Sequence, residues 1–262
     1  MRIISLNANG LRSAASKGLF DWLPAQKADF LCLQETKCLP ADLEGDACYA
    51  PRGWHSFFNS AQKKGYAGVA LYSRRQPDEV RTTLGVREFD DEGRYLELRF
   101  GRLSVVSLYA PSGSAGPERQ ASKDRFLAAF RPLLDTWRAS GRDYVVCGDW
   151  NIAHRNIDLR NWRSNQKNSG FLPHERQWLD GVFGADAAGA GWVDGYRHLH
   201  PATEGESYTW WSTRGQAWAK NVGWRIDYHV VTPSLRDALK RAAVYKERRF
   251  SDHAPLLLDY RL

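Results

Sequence analysis

The clearest guide to the fold of this chain is the segment Tyr144-Val-Val-Cys-Gly-Asp-Trp-Asn151. It begins with a short apolar run, which is typical of a buried strand. Asp149 and Asn151 come directly after that run. Because polar side chains beside a buried strand are costly unless they are paired or bind a ligand, the segment predicts a strand that delivers functional groups at its end.

Similar strand-like runs recur along the whole chain. Most are apolar throughout, which indicates burial on both faces or a place in a sandwich. The run 95–100 instead alternates, with Leu96, Leu98 and Phe100 on one face, and predicts a half-buried strand. The runs span residues 3–7, 29–34, 68–73, 95–100, 103–109, 144–147, 225–231 and 255–260.

Helical segments lie between these runs. Apolar residues at helical spacing predict a helix that is capped by Ser122, is kinked at Pro132 and ends at Gly141. Further helices are predicted over Pro173–Phe183 and, more briefly, from Pro233 onward. Because strands and helices do not alternate strictly, their order favours an α+β or layered sandwich over a doubly wound sheet.

Length and composition are those of an ordinary globular protein. The 262 residues contain no linker-like tract, which predicts a single domain over residues 1–262. No apolar stretch is long enough to cross a membrane, and the first residues form a strand-like run instead of a secretion signal. The four cysteines have neither zinc-site nor disulfide spacing, so we expect a reduced, cytoplasmic protein.

The net charge leaves two interpretations open. The chain has 37 Lys and Arg residues against 30 Asp and Glu, which gives a formal charge of +7. Basic side chains neutralise phosphates and so favour a nucleic-acid partner. An excess of this size is equally common as a plain solubility charge.

Polar side chains stand at the ends of most of the predicted strands. A single Asp or Asn at such a point is more often a cap or turn residue. Strand ends on one side of a sheet meet in one place, however, so the set as a whole predicts one site. The set comprises Asn7, Glu35, Tyr109, Asp149, Asn151, Asp227, Asp252 and His253.

These residue types point to a particular chemistry. Carboxylate and amide oxygens with little histidine and no cysteine suit a hard cation such as Mg²⁺ or Mn²⁺. Tyrosine and histidine beside that cation can stabilise charge on a phosphate, and a carboxylate can orient or deprotonate water. The pattern predicts metal-assisted hydrolysis of a phosphoester. The chain has no Gly-rich phosphate loop, which disfavours an NTPase.

Longer motifs surround the same residues. Leu33-Gln-Glu-Thr-Lys37, Gly65-Tyr-Ala-Gly-Val69, Leu108-Tyr-Ala-Pro111, Gly148-Asp-Trp-Asn-Ile-Ala-His154, Tyr208-Thr-Trp-Trp211 and Ser251-Asp-His253 occur in this order. Three more motifs are Asn7-Ala-Asn-Gly-Leu-Arg12, which precedes all of these, and Asn168-Ser-Gly-Phe171 and Gly223-Trp-Arg-Ile-Asp-Tyr228, which lie among them. Together they resemble the exonuclease III family of abasic-site (AP) endonucleases, within the endonuclease/exonuclease/phosphatase superfamily. The resemblance covers essentially the whole chain, and the last three motifs are the ones most specific to the AP endonuclease branch.

The resemblance implies a fold and an activity. The fold would be a four-layer α/β/β/α sandwich, with two packed mixed β-sheets flanked by helices. The activity would be Mg²⁺-dependent cleavage of the phosphodiester 5′ to an abasic site, which leaves a 3′-hydroxyl, together with 3′–5′ exonuclease and 3′-end-trimming activity. The expected partner is double-stranded DNA with abasic sites or 3′ ends, bound by a monomer, and Mn²⁺ is expected to substitute for Mg²⁺.

The resemblance also assigns roles to individual residues, none of which departs from the family pattern. Tyr109 and His253 would contact the scissile phosphate, and Asp227 would hydrogen-bond His253. Asp149 would either activate the attacking water or protonate the leaving group, and Asn151 would orient that water. Glu35 would be the principal metal ligand, in a set made up of Asn7, Glu35, Asp149, Asn151 and Asp252.

Family residues that bind DNA have counterparts here as well. Trp210, Trp224 and Ile226 would wall a small pocket for a flipped-out, baseless deoxyribose, although tryptophans in this stretch also suit a packed surface loop. Arg214 would insert into the duplex. Arg12, Lys37, Tyr66, Asn165, Lys167 and Asn168 match stretches that track the DNA backbone, and His253 would meet the same strand at the scissile phosphate.

Two other functions are compatible with part of the pattern. A phosphatase or sphingomyelinase of the superfamily would share the chemistry but not the three branch-specific motifs. A non-catalytic nucleic-acid-binding regulator on the same scaffold would not need the complete set of acidic residues.

Overall fold

The computed structural model describes residues 1–184 and 191–262. Its strands are β1 (Arg2–Asn7), β2 (Phe30–Gln34), β3 (His55–Asn59), β4 (Val69–Ser73), β5 (Glu79–Arg81), β6 (Tyr95–Phe100), β7 (Leu103–Tyr109), β8 (Asp143–Asp149), β9 (Val193–Asp194), β10 (Trp210–Trp211), β11 (Gly223–Trp224), β12 (Asp227–Val231), β13 (Leu239–Val244) and β14 (Leu256–Tyr260). Its α-helices are α1 (Leu11–Ser16), α2 (Leu19–Trp22), α3 (Arg87–Asp90), α4 (Pro117–Ala139), α5 (Trp162–Asn165), α6 (Pro173–Phe183) and α7 (Gly195–Leu199). Short 3₁₀ turns occupy Leu23–Gln26, Pro40–Leu43, Ala47–Tyr49, Asn156–Asp158 and Pro233–Ala238.

Twelve of these strands form two mixed sheets. Sheet A has the strand order β13-β14-β1-β2-β4-β3, and sheet B has the order β5-β6-β7-β8-β12-β9. Each sheet contains one parallel pair at its centre, β1 with β2 in sheet A and β7 with β8 in sheet B. The other pairings are antiparallel, which explains why strict strand–helix alternation is missing from the sequence.

The sheets pack face to face and are covered by helices on their outer faces. Side chains such as Val69 and Leu71 of sheet A meet Val105 and Val145 of sheet B in the central core. Helices α1 and α2 cover the outer face of sheet A, and α4 and α6 cover that of sheet B. This is the predicted four-layer α/β/β/α sandwich.

The parallel pairs bring the functional strand ends together. Parallel strands end on the same edge of a sheet, so Asn7 lies beside Gln34 and Tyr109 lies beside Asp149. Gly148 permits the close approach of β7 and β8, because its φ is +145° and a Cβ there would lie 1.9 Å from the carbonyl oxygen of Leu108.

The eight predicted strands are all present, within a few residues of their expected bounds. Two details of the prediction are wrong. The helix predicted from Ser122 begins earlier, at Pro117, because proline at the first helical position starts it after Gly116, and Ser122 lies inside α4. Strand β6 is buried on both faces rather than one, since Glu97 on its polar face is hydrogen-bonded by Tyr95 and Ser104 and covered by neighbours.

Two further properties concern the surface and the cysteines. None of the helices within residues 1–184 and 191–262 is long and apolar enough to span a membrane. Cys32, Cys38, Cys48 and Cys147 are all free thiols in the structure.

Candidate active site

A cavity of about 550 Å³ opens where the two sheets present their strand ends. It is the place at which most of the predicted catalytic side chains meet. Loop residues 112–116 and 167–170 form part of its rim. The predicted site residues that line it are Glu35, Tyr109, Asp149, Asn151, Lys167, Asn168, Trp210, Trp224, Ile226, Asp252 and His253.

Asp149 ends β8 at the floor of this cavity and is almost fully buried. Its Oδ1 accepts a hydrogen bond of 2.8 Å from the backbone N–H of Asn151, and its Oδ2 accepts one of 2.9 Å from the amide of Asn7. The Asn151 amide also donates to Oδ2, at 3.2 Å. Burial, together with the nearby carboxylate of Asp227, raises the pKa of Asp149 to about 7, although His253 opposes the shift.

Asp227 and His253 form a buried pair beside Asp149. Asp227 begins β12 and lies directly opposite Asp149 in the antiparallel β8–β12 register. Its Oδ2 is 2.8 Å from Nδ1 of His253, and Nε2 of His253 is 3.9 Å from Oδ2 of Asp149. Burial lowers the pKa of His253, but the carboxylates of Asp227 and Asp149 outweigh it and raise that pKa to about 10, so the imidazole is positively charged at neutral pH.

Glu35 and Asp252 supply two further carboxylates. Glu35 has a left-handed backbone, with a φ of 48°, and accepts a hydrogen bond of 2.8 Å from the Asn7 amide. Burial raises the pKa of Glu35, but Lys37, whose Nζ is 2.8 Å away, and Asn7 hold it below its ordinary value. Burial likewise raises the pKa of Asp252, and the charge of His253 holds it low.

These oxygens fit a divalent cation. One amide nitrogen, Nδ2 of Asn7, touches the carboxylates of both Glu35 and Asp149, so the two acids lie on either side of it. Asp149, Asp227 and His253 form a group of three side chains whose ligand atoms all lie within 4.8 Å of one another. Asp227 keeps a buried Oδ1 without a hydrogen-bond partner. Hard oxygen donors with a spare buried lone pair are the surroundings that a hard cation favours.

Tyr109 ends β7 and faces the same cavity with little exposure. Burial and the neighbouring Glu35 carboxylate raise the pKa of its phenol well above the ordinary value, so it remains a hydrogen-bond donor. The guanidinium of Arg94 lies 4.8 Å from the Tyr109 ring centroid and donates a hydrogen bond of 3.1 Å to the Tyr109 carbonyl.

The tryptophan stretch forms one wall of the cavity. Trp210 and Trp224 face each other across the β10–β11 ribbon, with their rings edge to face at 6.2 Å. Ile226 is buried behind them, and Nε1 of Trp210 donates to Asp252 at 3.1 Å. A second cavity, of about 530 Å³, lies on the other side of this wall and is lined by Asn165 and Arg214.

The remaining predicted residues lie outside the main cavity. Asn7 and Asp227 stand behind it and reach it through Asp149 and His253. Lys37 is bound to Glu35, and Arg12 is exposed on α1. Tyr66 is half-buried and accepts hydrogen bonds from Arg94 and Arg119.

Sequence reasoning missed several residues that contact the site. Arg94 supports Tyr109, and Asn9 donates a hydrogen bond of 2.9 Å to Asp252. Lys123 and Glu175, both fully buried, reach the backbone of Asn151 and Gly170. One signal was available: Lys123 precedes Leu127 by four residues and so falls on the apolar stripe of α4.

Comparisons with known proteins agree with this geometry. The model of the endonuclease/exonuclease/phosphatase family matches residues 4–253. The exodeoxyribonuclease of Bacillus subtilis (strain 168) is 38% identical over 262 residues, which cover 98% of each chain. The DNA repair nuclease APEX1 of Danio rerio is 37% identical over 98% of this chain and 81% of its own length.

A solved structure shows the same fold. The 3′ phosphatase NExo from Neisseria, bound to a product DNA hairpin, superposes with a TM-score of 0.86 at 28% identity and covers 100% of both chains. These findings confirm the resemblance that the motifs predicted. The chain belongs to the endonuclease/exonuclease/phosphatase family, and its relatives there include exodeoxyribonucleases and DNA repair nucleases.

Proposed function

We propose that this chain is a DNA repair hydrolase that uses Mg²⁺ to cut the phosphodiester 5′ to an abasic site and leaves a 3′-hydroxyl. Its substrate is double-stranded DNA, and it acts as a monomer in the cytoplasm, through a single domain that spans residues 1–262. Mn²⁺ can replace Mg²⁺, because both accept hard oxygen ligands.

One observation carries this proposal. The carboxylates of Glu35 and Asp149, the charged imidazole of His253 and the Trp210–Trp224 wall all line one cavity. The first three groups suit hydrolysis of a phosphodiester, and the wall suits a sugar without its base. A phosphatase for small esters would need the two carboxylates and the imidazole but not the Trp210–Trp224 wall.

The geometry distributes the chemistry among the residues. His253, charged and held by Asp227, binds the scissile phosphate together with the phenol of Tyr109. Asp149 either takes a proton from the attacking water or gives one to the leaving oxygen. A carboxyl group with a pKa of about 7 suits this role because it exchanges protons readily at neutral pH. Asn151 holds the Asp149 carboxylate in place through its backbone and side-chain N–H groups.

Glu35, with Asp149 and Asp252 and the amides of Asn7 and Asn151, would hold the metal. When bound, Mg²⁺ supplies positive charge that offsets the negative charge growing on the phosphate oxygens.

The Trp210–Trp224 wall selects the substrate. The wall and Ile226 would hold a sugar without its base and leave no room for the base of an intact nucleotide, and a lesion without a base costs less to extrude from the duplex. Lys167 and Asn168 on the rim, and Asn165 in the adjoining cavity, would contact the DNA backbone, as would Arg12, Lys37 and Tyr66. Arg214, which also lines the adjoining cavity, would insert into the duplex.

Removal of blocking groups from 3′ ends is a second activity for the same site. The relative described as a 3′ phosphatase shares 28% of its residues and the whole fold with this chain. A 3′-terminal phosphate would present the same ester chemistry to Asp149 and His253.

The test is cleavage of a duplex that carries one tetrahydrofuran abasic analogue, with Mg²⁺ and with EDTA. We expect a single cut 5′ to the analogue in Mg²⁺ and none in EDTA. Metal-independent cutting, or no cutting at all, would contradict the proposal. A 3′-phosphorylated duplex and a small phosphate ester, assayed in parallel, separate end trimming and a general phosphatase from incision.

A further inference from the structure

A buried ion pair outside the catalytic set holds the backbone of the catalytic loop. Nζ of Lys123 on α4 is 2.6 Å from Oε1 of Glu175 on α6, and neither side chain is exposed to solvent. Burying two charges costs free energy that their attraction often fails to recover, so an apolar pair would serve stability equally well. Stability alone therefore does not explain why this ion pair is buried here.

Oε1 of Glu175 also accepts a hydrogen bond of 3.1 Å from the side chain of Gln120 on α4, and the pair makes its remaining hydrogen bonds to two loops of the active-site cavity. Nζ of Lys123 donates to the carbonyl of Asn151 at 2.8 Å. Oε2 of Glu175 accepts from the backbone N–H groups of Gly170, at 2.7 Å, and Leu172, at 3.0 Å. Asn151 and Gly170 both line the cavity, so the pair touches its walls from behind.

The two loops are also tied to each other at this point. The N–H of Ala153 donates to the carbonyl of Gly170 at 2.8 Å. A Cβ on Gly170 would lie 3.0 Å from the carbonyl oxygen of Asn151, so that oxygen is confined between Gly170 and Lys123.

The backbone conformation of Asn151 explains why its carbonyl needs these restraining contacts. Its φ is +53°, a left-handed conformation that a residue other than glycine adopts at a cost. Its side-chain amide donates to the carbonyl of Ala110 at 2.9 Å and to Asp149, and its backbone N–H fixes the other oxygen of Asp149. A rotation about the N–Cα bond of Asn151 moves its carbonyl and its side-chain amide together, so a hold on the carbonyl also restrains the amide that donates to the Asp149 carboxylate.

We propose that Lys123 and Glu175 are positioning residues that fix the Asn151 peptide and the Gly170 loop, and thereby the Asp149 carboxylate, for the cleavage step. The proposal rests on the proposed hydrolase function. Neither residue touches the phosphate, so their loss slows the cleavage step and leaves the affinity for DNA unchanged.

The test compares the double variant Lys123→Met/Glu175→Gln with the natural chain on the tetrahydrofuran duplex. With enzyme in excess over DNA, the single-turnover rate constant reports the folded enzyme alone. If the two residues had a purely structural role, this rate constant would not change. We expect this constant to fall about 10- to 100-fold, since small misplacements of catalytic groups have effects of that size. Affinity for the uncut duplex in EDTA, measured by fluorescence anisotropy, should not change.

The control is Arg99→Met/Glu97→Gln, which removes an ion pair of 2.7 Å in the outer part of sheet B. It should keep the natural rate constant. A folded Lys123→Met/Glu175→Gln enzyme with the natural rate constant would overturn the inference. If that variant does not fold, the single variant Glu175→Gln, which keeps size and shape, decides by the same criterion. Failure of the natural chain to cut would instead count against the proposed function.

Discussion

Nδ1 of His253 and Oδ2 of Asp227 lie 2.8 Å apart directly behind the cavity, and this contact fixes which ring nitrogen faces the substrate. The Asp227 carboxylate accepts a hydrogen bond from the Nδ1–H group, so Nε2 faces Asp149. The same contact favours the charged form of the imidazole and explains the raised pKa of His253 despite its burial.

The first prediction concerns this pair. Asp227→Asn removes the charge that keeps His253 protonated, so the pKa of His253 falls toward its ordinary value. We expect kcat/KM to drop by between about 10²- and 10⁴-fold, as in other carboxylate–histidine pairs. Because the imidazole regains its charge in acid, the deficit should be smaller at about pH 6 than at about pH 8.

Asp180→Asn is the matched control, since Asp180 contacts a different histidine, His154, at 2.7 Å and lies away from the cavity. Its pH–rate profile should follow the natural enzyme. A pH-independent deficit in Asp227→Asn would show that the Asp227 charge does not act through His253.

The second prediction separates chemistry from binding. Asp149→Asn removes the proton carrier but keeps side-chain size, so turnover should fall on the order of 10⁴-fold. DNA affinity should stay the same or rise, because a negative charge facing the phosphate is lost. Single-turnover cleavage and fluorescence anisotropy in EDTA measure the two effects.

Asp143→Asn, at the other end of β8, provides the comparison for that variant and should cut normally. Equal losses of affinity and turnover in Asp149→Asn would contradict the role given to the carboxylate.

The third prediction addresses substrate choice. Trp224→Ala removes half of the Trp210–Trp224 wall, so the pocket should no longer exclude an intact nucleotide. We expect the ratio of abasic-site incision to 3′–5′ exonuclease activity to fall, by about tenfold for a lost stacking contact. Trp54→Ala, which removes a half-buried tryptophan stacked on Arg74 at 4.2 Å, should leave the ratio unchanged. A similar fall in both variants would mean that the wall does not discriminate.

The sequence allowed the convergence of the strand ends to be predicted, for a local reason. Each strand is a short apolar run followed at once by a polar residue, as in β8 before Asp149, and both features lie within a few residues. The position of Asp227 opposite Asp149 depends instead on how β8 and β12 pair, across a long stretch of chain. No local pattern specifies that register.

A second physical reason explains why the sequence did not predict the roles of Lys123 and Glu175. Lys123 and Glu175 are distant in sequence and become partners only when α4 packs against α6. A lysine on an apolar stripe is readable from the sequence, but its acceptor, the carbonyl of Asn151, is a backbone group that carries no sequence signal.

Strand β13, with exposed Lys240 and Arg241, lacked an apolar run because it is an edge strand.

The last prediction concerns stability rather than catalysis. His229 is fully buried in β12, with Nδ1 2.9 Å from the hydroxyl of Tyr260. Burial lowers its pKa to about 3, so the folded chain keeps it neutral where the unfolded chain, with an ordinary pKa of about 6.5, takes up a proton. The stability that His229 contributes is therefore complete above about pH 6.5 and is lost as the pH falls toward 3.

Between pH 7 and pH 5 this linkage should cost the natural chain about 2 kcal/mol of unfolding free energy that the variant His229→Gln does not lose. Urea titrations at both pH values measure the difference, and comparing the two chains cancels the other titrating groups. His198→Gln, which changes an exposed histidine, should lose as much as the natural chain. An equal loss in His229→Gln would mean that His229 is protonated in the folded core, and the assignment of a neutral imidazole between β12 and β14 would be wrong.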